Sequence, residues 1–405
     1  MACRGWAIER MTGQADPVRV GMFSDSYLPR ISGVVRSIEA FVTELRRQGH
    51  HASVFAPAYP GYVDRDPDVV RFPSVRAPGV PDFPLAVPVV RRFVAGLRPR
   101  RLMVVHTHSP FLMGGAGRYA SLRLRLPLIF THHTMYSEYV HYVPLVSQRF
   151  SREVVTRYTV VYCNRCATVI APSQAVRQFL LDRGVHTPIE VLPTAGLDLA
   201  KFGRLDPSWV RRRYAIPSGA PLLITVGRLA REKRFDMLLA AFAKASRGRA
   251  ERLLVVGGGP EAKELREMAV QFGVAQQVSF TGPLEHDRVL DCYAAADIFA
   301  FASPTETQGM VVVEAMAAGL PVVAVGAGGV AEAVRDGQTG LLTLADADAL
   351  ASAMRRMLDD TALRARCAAA GREAARAYAI EALVHKLVGL YREVAHTSAT
   401  VAAPD

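Results

Sequence analysis

The sequence predicts an α/β protein built from two doubly wound, Rossmann-like parallel sheets that face each other across a cleft. Three observations carry this expectation. Short β-branched runs alternate with helix-length segments along nearly the whole chain, the pattern of parallel sheets covered by helices on both faces. The 405 residues are too many for one core, and each half is long enough for one doubly wound domain. Near residues 193–207 the alternation breaks at Gly196, Gly203 and Pro207, which marks the boundary.

In the first half the runs at 18–23, 52–56, 102–106, 128–131, 167–171 and 189–192 read as strands, and 36–47 as a helix. In the second half the strands are 222–226, 253–256, 278–281, 298–302 and 322–325, with a helix at 235–245. A closing helix begins at residue 380. The domains are therefore set at 18–196 and 197–377, with 378–396 as the closing segment and 1–17 and 397–405 as tails. No internal repeat is present. Ligands of such sheets bind beyond the carboxyl ends of the strands, so two facing domains place a site between them.

Half of the residues are hydrophobic and 21% charged, a composition that excludes a disordered chain. No apolar run reaches 18 residues, so no membrane-spanning helix is expected. Residues 1–17 lack an apolar stretch and carry Arg4, Glu9, Arg10 and Asp16, so they make a poor signal peptide; they read as a loose tail, or as lying partly ahead of a true start at Met11. Five cysteines without such a signal point to reduced thiols in cytoplasm. Cys163 and Cys166 form a Cys-x-x-Cys pair with no second pair at zinc spacing, and they read as helix residues. The net charge of +12 is uneven: residues 1–200 hold 24 arginines, no lysine and 14 acids, and so contribute +10. Between Asp82 and Glu138 there is no acid, yet Arg91, Arg92, Arg98, Arg100, Arg101, Arg118, Arg123 and Arg125 fall there. A basic first half points to an anionic surface as partner. The aromatics are not interleaved with these arginines, which disfavours a nucleic-acid-binding protein.

The stretch from Ser303 to Pro321 is the most informative. Glu306 sits in a polar, turn-forming run and Glu314 in an Ala-rich helical segment, with Gly309 just before that helix. A helix start offers unpaired N–H groups to an anion, and flanking carboxylates suit hydroxyls. Together they ask for a ligand with both hydroxyls and phosphate. Gly227 to Arg234 gives strand, glycine, cations and helix start, a plausible diphosphate site. The run Gly257-Gly258-Gly259 ends another strand, where glycine serves close approach or packing, but the full dinucleotide fingerprint is absent. In the first half, residues 29–35 link a strand to a helix and include Ser32 and Gly33. Residues 131–144 crowd His132, His133 and His141 with Tyr136, Tyr139 and Tyr142 at a strand end, and His106 and His108 end another strand. Asp64-x-Asp66 and Asp346-x-Asp348 have a metal-binding spacing but read as solvated loop acids.

The Glu306–Glu314 run resembles the donor-site signature of the family 4 retaining glycosyltransferases, which have the GT-B fold. Several further motifs follow in the family's order. The pattern around His133, Tyr136 and Tyr139 looks like that of the bacterial 1,2-diacylglycerol 3-glucosyltransferases, the monoglucosyldiacylglycerol synthases. The resemblance implies that residues 18–196 take the acceptor, that residues 197–377 take a nucleotide sugar, and that the closing helix returns to the first domain. It further implies that Arg228 and Lys233 clamp the diphosphate and that Leu284 passes the base. Glu314 would bind the ribose, and Glu306 the hexose. Gly309, Met310, Val311 and Gly33 would approach phosphate or sugar. His133 would line the hexose pocket, with His108, Tyr136 and Tyr139 on the acceptor side; in the family two glycines often stand where Ser32 and Gly33 do here.

The activity so implied is retaining transfer of a hexose, glucose from UDP-glucose, to a membrane lipid such as diacylglycerol. The partners are then a nucleotide sugar, a lipid acceptor and the anionic inner face of the cell membrane, with no nucleic acid. No essential metal or cofactor is expected, a divalent ion being at most stimulatory. The rivals are transfer of mannose from GDP-mannose to phosphatidylinositol, and transfer to a soluble acceptor.

Overall fold

The computed structural model describes residues 16–77, 80–87, 94, 96–133, 148–194 and 196–402. Its strands are β1 (Arg19–Phe23), β2 (His51–Pro57), β3 (Val69–Phe72), β4 (Ser74–Ala77), β5 (Val80–Ala86), β6 (Val104–Thr107), β7 (Leu128–Thr131), β8 (Thr168–Ala171), β9 (Ile189–Val191), β10 (Leu222–Val226), β11 (Arg252–Val256), β12 (Val278–Phe280), β13 (Ile298–Phe301), β14 (Val322–Val325) and β15 (Gly340–Thr343). The α-helices are α1 (Gly33–Arg47), α2 (Leu112–Leu124), α3 (Gln148–Cys163), α4 (Gln174–Asp182), α5 (Ser208–Arg213), α6 (Phe235–Ala245), α7 (Ala262–Gln271), α8 (His286–Ala295), α9 (Met310–Ala317), α10 (Gly328–Ala333), α11 (Ala347–Asp359), α12 (Thr361–Ala375) and α13 (Ile380–Ala402).

One parallel sheet has the order β3-β2-β1-β6-β7-β8-β9, the other β12-β11-β10-β13-β14-β15. The order reverses between β1 and β6, which pair with Phe23 beside Thr107, and between β10 and β13, which pair with Ile224 beside Phe299. These reversals are the switch points beyond which doubly wound sheets bind ligands. Strands β6, β7, β8, β10, β13 and β14 are buried at every residue, as expected where helices cover both faces.

Four elements escaped the sequence reading. Strand β3 is a short edge strand carrying Arg71, β15 is an edge strand opened by Gly340, and β4 and β5 form a separate antiparallel ribbon. Pro81 and Pro84 within β5 hide it, and a two-stranded ribbon tolerates proline on its open side.

The chain crosses between the halves at two adjacent points. Leu197 N donates to Tyr378 O at 2.8 Å and Ile380 N to Leu197 O at 2.9 Å. Gly196 lies so close to Ile380 that a Cβ would come within 2.1 Å of its Cδ1. Helix α13 then packs Leu383, Val384, Leu387, Val388 and Tyr391 into one cluster with Val20, Ile38 and Leu45 of the first half. Each such buried side chain is worth about 1.5–3 kcal/mol. The tail expected from residue 397 is instead helix to Ala402: no glycine or proline falls between residues 390 and 402, and Thr397 Oγ1 donates to Glu393 O at 3.0 Å. Residues 1–15 of the expected N-terminal tail lie outside the described residues, and the Asp16 carbonyl accepts from Arg392.

Candidate active site

In the second half the donor motifs converge at the β10/β13 switch point. Gly227 follows β10, and its carbonyl would lie 2.0 Å from a Cβ on Gly257; a Cβ on Gly259 would lie 2.3 Å from the Leu229 carbonyl. The glycine run thus packs backbone on backbone and fixes the loop that carries Arg228, which is exposed at its tip. Lys233, at the end of the turn Arg231–Lys233, reaches Glu306 with Nζ 2.5 Å from Oε1. Only 19% and 16% of these side chains is exposed, so the pair sits at the mouth of the cleft and largely out of water.

Glu306 is held by glycines that the sequence reading passed over. Gly329 N donates to Glu306 O at 2.9 Å, and a Cβ on Gly329 would come within 2.4 Å of Gln308 Cα and of Thr307 O. Gly309 takes φ +72°, a left-handed conformation that glycine adopts without strain, and α9 begins at the next residue with no side-chain cap. The N–H groups of Met310 and Val311, in the first turn of α9, have no acceptor within the helix.

Glu314, one turn further on, is buried. Tyr293 of α8 donates its hydroxyl to Glu314 Oε2 at 3.1 Å, and burial pushes the carboxyl up to about 7. His286, at the start of α8, points Nε2 at Glu314 Oε1 from 3.9 Å. Leu284 lies half-buried between β12 and α8, packed on the same core.

The first half faces this surface directly. Ser32 is the N-cap of α1, its hydroxyl accepting from Val35 N at 3.3 Å, so the helix starts at Gly33 rather than at residue 36. This gives serine a capping role where a second glycine often stands. A Cβ on Gly33 would meet Met310 Sδ at 3.8 Å, so the two loop ends oppose each other across the cleft. His133 O accepts from Thr307 Oγ1 at 3.1 Å, and Gln308 Oε1 accepts from Thr194 N at 2.8 Å. Glu332 of α10 accepts from Gln174 N and Ala175 N at the start of α4. The Glu306 loop is therefore tied to both halves.

His133 is buried, its Nε2 lying 2.8 Å from His108 Nδ1. His106 bridges Tyr391 Oη and Thr131 Oγ1, each at 2.7 Å. Burial lowers His133 and His106 to about 3 and His132 to about 4, and drives His108 well below its ordinary value. All four are therefore held neutral at pH 7, and none brings a cation to the site. His108 Nε2 and Ser37 Oγ have no partner among the described residues, and both side chains line one small cavity with about 10 Å³ of room, enough for a single water. Asp25, beyond the end of β1, is a buried acid that went unnoticed in the sequence; it accepts from Met113 N at 2.8 Å and from Ser109 Oγ, and burial raises it. Tyr136 and Tyr139 lie outside the described residues, as do Arg91 and Arg92.

Two expectations are corrected. Asp64 and Asp66 are not solvated loop acids: Arg71 holds Asp64 at 2.7 Å and Arg46 holds Asp66 at 2.6 Å. Asp346 and Asp348 are exposed as expected, Asp346 capping α11 and Asp348 pairing with Lys244. Arg100 is not a surface cation, since Asp68 and Ser53 engage it at 2.8 and 2.9 Å.

An apolar strip borders the first-half site. Phe111 stacks on Tyr158 with centroids 5.9 Å apart, and Leu112, Val154, Tyr158 and Val161 are all exposed. Exposed Arg157 and Arg165 flank it on α3 and the loop after it.

Residues 31–201 match the family model described as Glycosyltransferase Family 4, and residues 210–374 the model Glycosyl transferases group 1. The chain is 34% identical to the alpha-monoglucosyldiacylglycerol synthase of Streptococcus pneumoniae, over 76% of this chain and 71% of that protein. It is 31% identical to the GDP-mannose-dependent alpha-mannosyltransferase of Corynebacterium glutamicum, over 93% of this chain and 89% of that one. Among solved structures, Anabaena HepE in complex with UDP superposes with a TM-score of 0.76 at 22% identity, over 93% of this chain and all of that one.

Proposed function

The chain belongs to the family 4 glycosyltransferases, nucleotide-sugar-dependent enzymes of the GT-B fold, and on that premise we propose that it transfers glucose from UDP-glucose, with retention of configuration, to a hydroxyl of a membrane lipid such as 1,2-diacylglycerol. The observation that carries the lipid acceptor is the exposed strip of Phe111, Leu112, Val154, Tyr158 and Val161 beside the His133 pocket. Contiguous exposed apolar surface marks an interaction site, and Arg165 beside it suits an anionic headgroup layer, whereas Arg157 pairs with Glu153 at 2.8 Å. No helix among the described residues is long and apolar enough to cross a membrane. On this reading the protein docks peripherally through that strip, at the inner face of the cell membrane.

The chemistry follows from the cleft. The donor diphosphate lies on Arg228, Lys233 and the start of α9, where positive charge meets the negative charge that develops as the glycosidic bond breaks. Glu314 takes the ribose and Glu306 the hexose hydroxyls, while neutral His133 hydrogen-bonds the sugar from the opposite side. Glu306 is engaged by Lys233 and Glu314 is enclosed among Tyr293 and His286, so neither stands as a nucleophile behind the anomeric carbon. The acceptor oxygen then attacks from the face the nucleotide leaves, and the departing phosphate oxygen takes the acceptor proton. No step requires a metal ion or other cofactor.

The Corynebacterium relative, which matches over more of the chain, favours a second reading: transfer of mannose from GDP-mannose. Supplying labelled UDP- and GDP-sugars to diacylglycerol-containing vesicles, with and without anionic lipid, tests both. Labelled glucolipid from UDP-glucose alone is expected. Label from GDP-mannose would replace the donor, and donor cleavage without labelled lipid would refute the lipid acceptor.

A further inference from the structure

Glu314 is joined to the opposite half of the molecule through a side chain that no donor motif contains. Arg36, in the first turn of α1, donates from Nη1 to His286 Nδ1 at 3.0 Å across the cleft. That bond places the proton of the neutral imidazole on Nε2, the nitrogen aimed at Glu314 Oε1. The chain Arg36–His286–Glu314–Tyr293 thus runs from the first half into the centre of the donor site.

We propose that Arg36 and His286 are positioning residues for the donor nucleotide, forming a cross-cleft relay that presents the Glu314 carboxylate to the ribose only when the two halves are apposed. The proposal rests on the assignment of Glu314 to the ribose. Its basis is geometric. Glu314 cannot turn toward solvent, because it is buried on α9 and held by Tyr293, so its orientation is set by whatever meets its other oxygen. The side chain nearest that oxygen is His286, whose Nε2 stands 3.9 Å away, beyond hydrogen-bond distance, and whose ring is oriented by Arg36. Separation of the halves removes Arg36 and leaves the imidazole free to rotate.

The electrostatics agree. Burial favours the protonated acid at Glu314, and the Arg36 charge and the Tyr293 hydroxyl both oppose it. The groups facing Glu314 are Tyr293 and His286 from α8 and Arg36 from α1. Those facing His286 also include Asp287 and Lys201, which pair with each other at 3.0 Å. Burial, with the cations second, lowers His286 to about 4, so it stays neutral and carries no titration of its own near pH 7. The ionised carboxylate accepts from both hydroxyls of a ribose diol, whereas the protonated acid turns one of its oxygens into a donor. Closing the cleft and ionising Glu314 are therefore one coupled event, and nucleotide binding draws on both.

The test is calorimetric titration of UDP, with GDP in parallel, into the full chain between pH 6 and 9. Wild type should bind more tightly as the pH rises through about 7 and then level off. Arg36→Met should bind about tenfold more weakly at pH 7, with the deficit closing by pH 9, because loss of the opposing charge moves the midpoint upward. Arg36→Lys should restore much of the affinity, and His286→Phe, which leaves the Arg36 charge in place, should weaken binding without moving the midpoint. In steady state the Arg36→Met defect should appear in KM for the donor, with kcat near wild type. A wild-type midpoint and affinity in Arg36→Met or in His286→Phe would overturn the relay. Glu314→Gln separates the two layers: if it binds nucleotide like wild type, the ribose assignment falls and the relay with it. If it loses binding while Arg36→Met does not shift, the relay alone falls.

Discussion

Replacing Lys233 with methionine removes the cation that touches Glu306 at 2.5 Å while keeping most of the side chain's volume. The stability effect follows from burial. Breaking a fully buried pair costs about 3–5 kcal/mol and an exposed one about 0–1 kcal/mol. With 19% and 16% of the side chains exposed, the cost here should be about 1–3 kcal/mol. The catalytic effect is separate. Loss of one preorganised charge at the leaving diphosphate removes about 2–4 kcal/mol, which lowers kcat/KM about 30- to 1000-fold. Adding Glu306→Gln distinguishes the two. The double variant has neither charge, so its urea midpoint should return to within about 1 kcal/mol of wild type, while single-turnover transfer from labelled nucleotide sugar should stay lost. If the double variant recovers transfer, or Lys233→Met turns over within about threefold of wild type, the pair is a structural ion pair and the phosphate assignment is wrong.

Three further outcomes can be measured directly. The Glu314 acid is raised by burial from 4.5 to about 7, so the stability it allows below pH 4.5 is lost as the pH rises through 7. Glu314→Gln should accordingly stabilise the unliganded protein by about 3 kcal/mol at pH 8 and by almost nothing at pH 5, and equal urea shifts at both would contradict this. His106, His108, His132 and His133 are all held below their ordinary value, so each supplies stability above about pH 6.5 that is lost on acidification toward pH 3; His132→Phe should flatten the slope by about 1.4 kcal/mol per pH unit between pH 6 and 4.5, and an unchanged slope would show that His132 stays solvated. Gly329→Ala forces its Cβ to 2.4 Å from the Thr307 carbonyl and should displace the Glu306 loop, costing about 100-fold in kcat/KM; Gly337→Ala, strained at φ +71° but with open space around it, should cost about 1 kcal/mol of stability and leave kcat/KM unchanged.

What could be read in the sequence was what is local. The strands at β6, β7, β8, β10, β13 and β14 are short runs buried on both faces, and such runs need apolar residues at every position, so they stand out without any partner being known. Lys233 and Glu306 were each legible because glycines, turns and helix starts surround them. That they touch was not, since 73 residues separate them. Edge elements were hidden for the opposite reason: β3 and β5 carry Arg71, Pro81 and Pro84, which only an unpaired side tolerates. Arg36 and His286, 250 residues apart, each look like an ordinary polar residue in the first turn of a helix, and only the apposition of two domains gives them a shared role. Arg100 failed in the same way, because a charge that appears free in a list of arginines is neutralised by Asp68 from an adjacent edge strand.

The two glutamates that first drew notice differ less in position than in electrostatic state, and that difference assigns them separate tasks. Glu306 lies beside Lys233, so its charge is compensated before any ligand arrives. Among the described residues Glu314, eight residues on, has no cation in hydrogen-bonding contact and Tyr293 is its one hydrogen-bond donor, and burial leaves it near balance between acid and carboxylate at neutral pH. A carboxylate in that condition is sensitive to any further donor or charge, and a ribose diol and Arg36 supply both together. On the proposed assignment Glu306 holds the hexose whether the cleft is open or closed, whereas Glu314 holds the ribose firmly only when it is closed. A product nucleotide that has lost its hexose then keeps its diphosphate contacts and Glu314, and opening the cleft withdraws Arg36 from the Glu314 side, weakens the ribose contact and favours release.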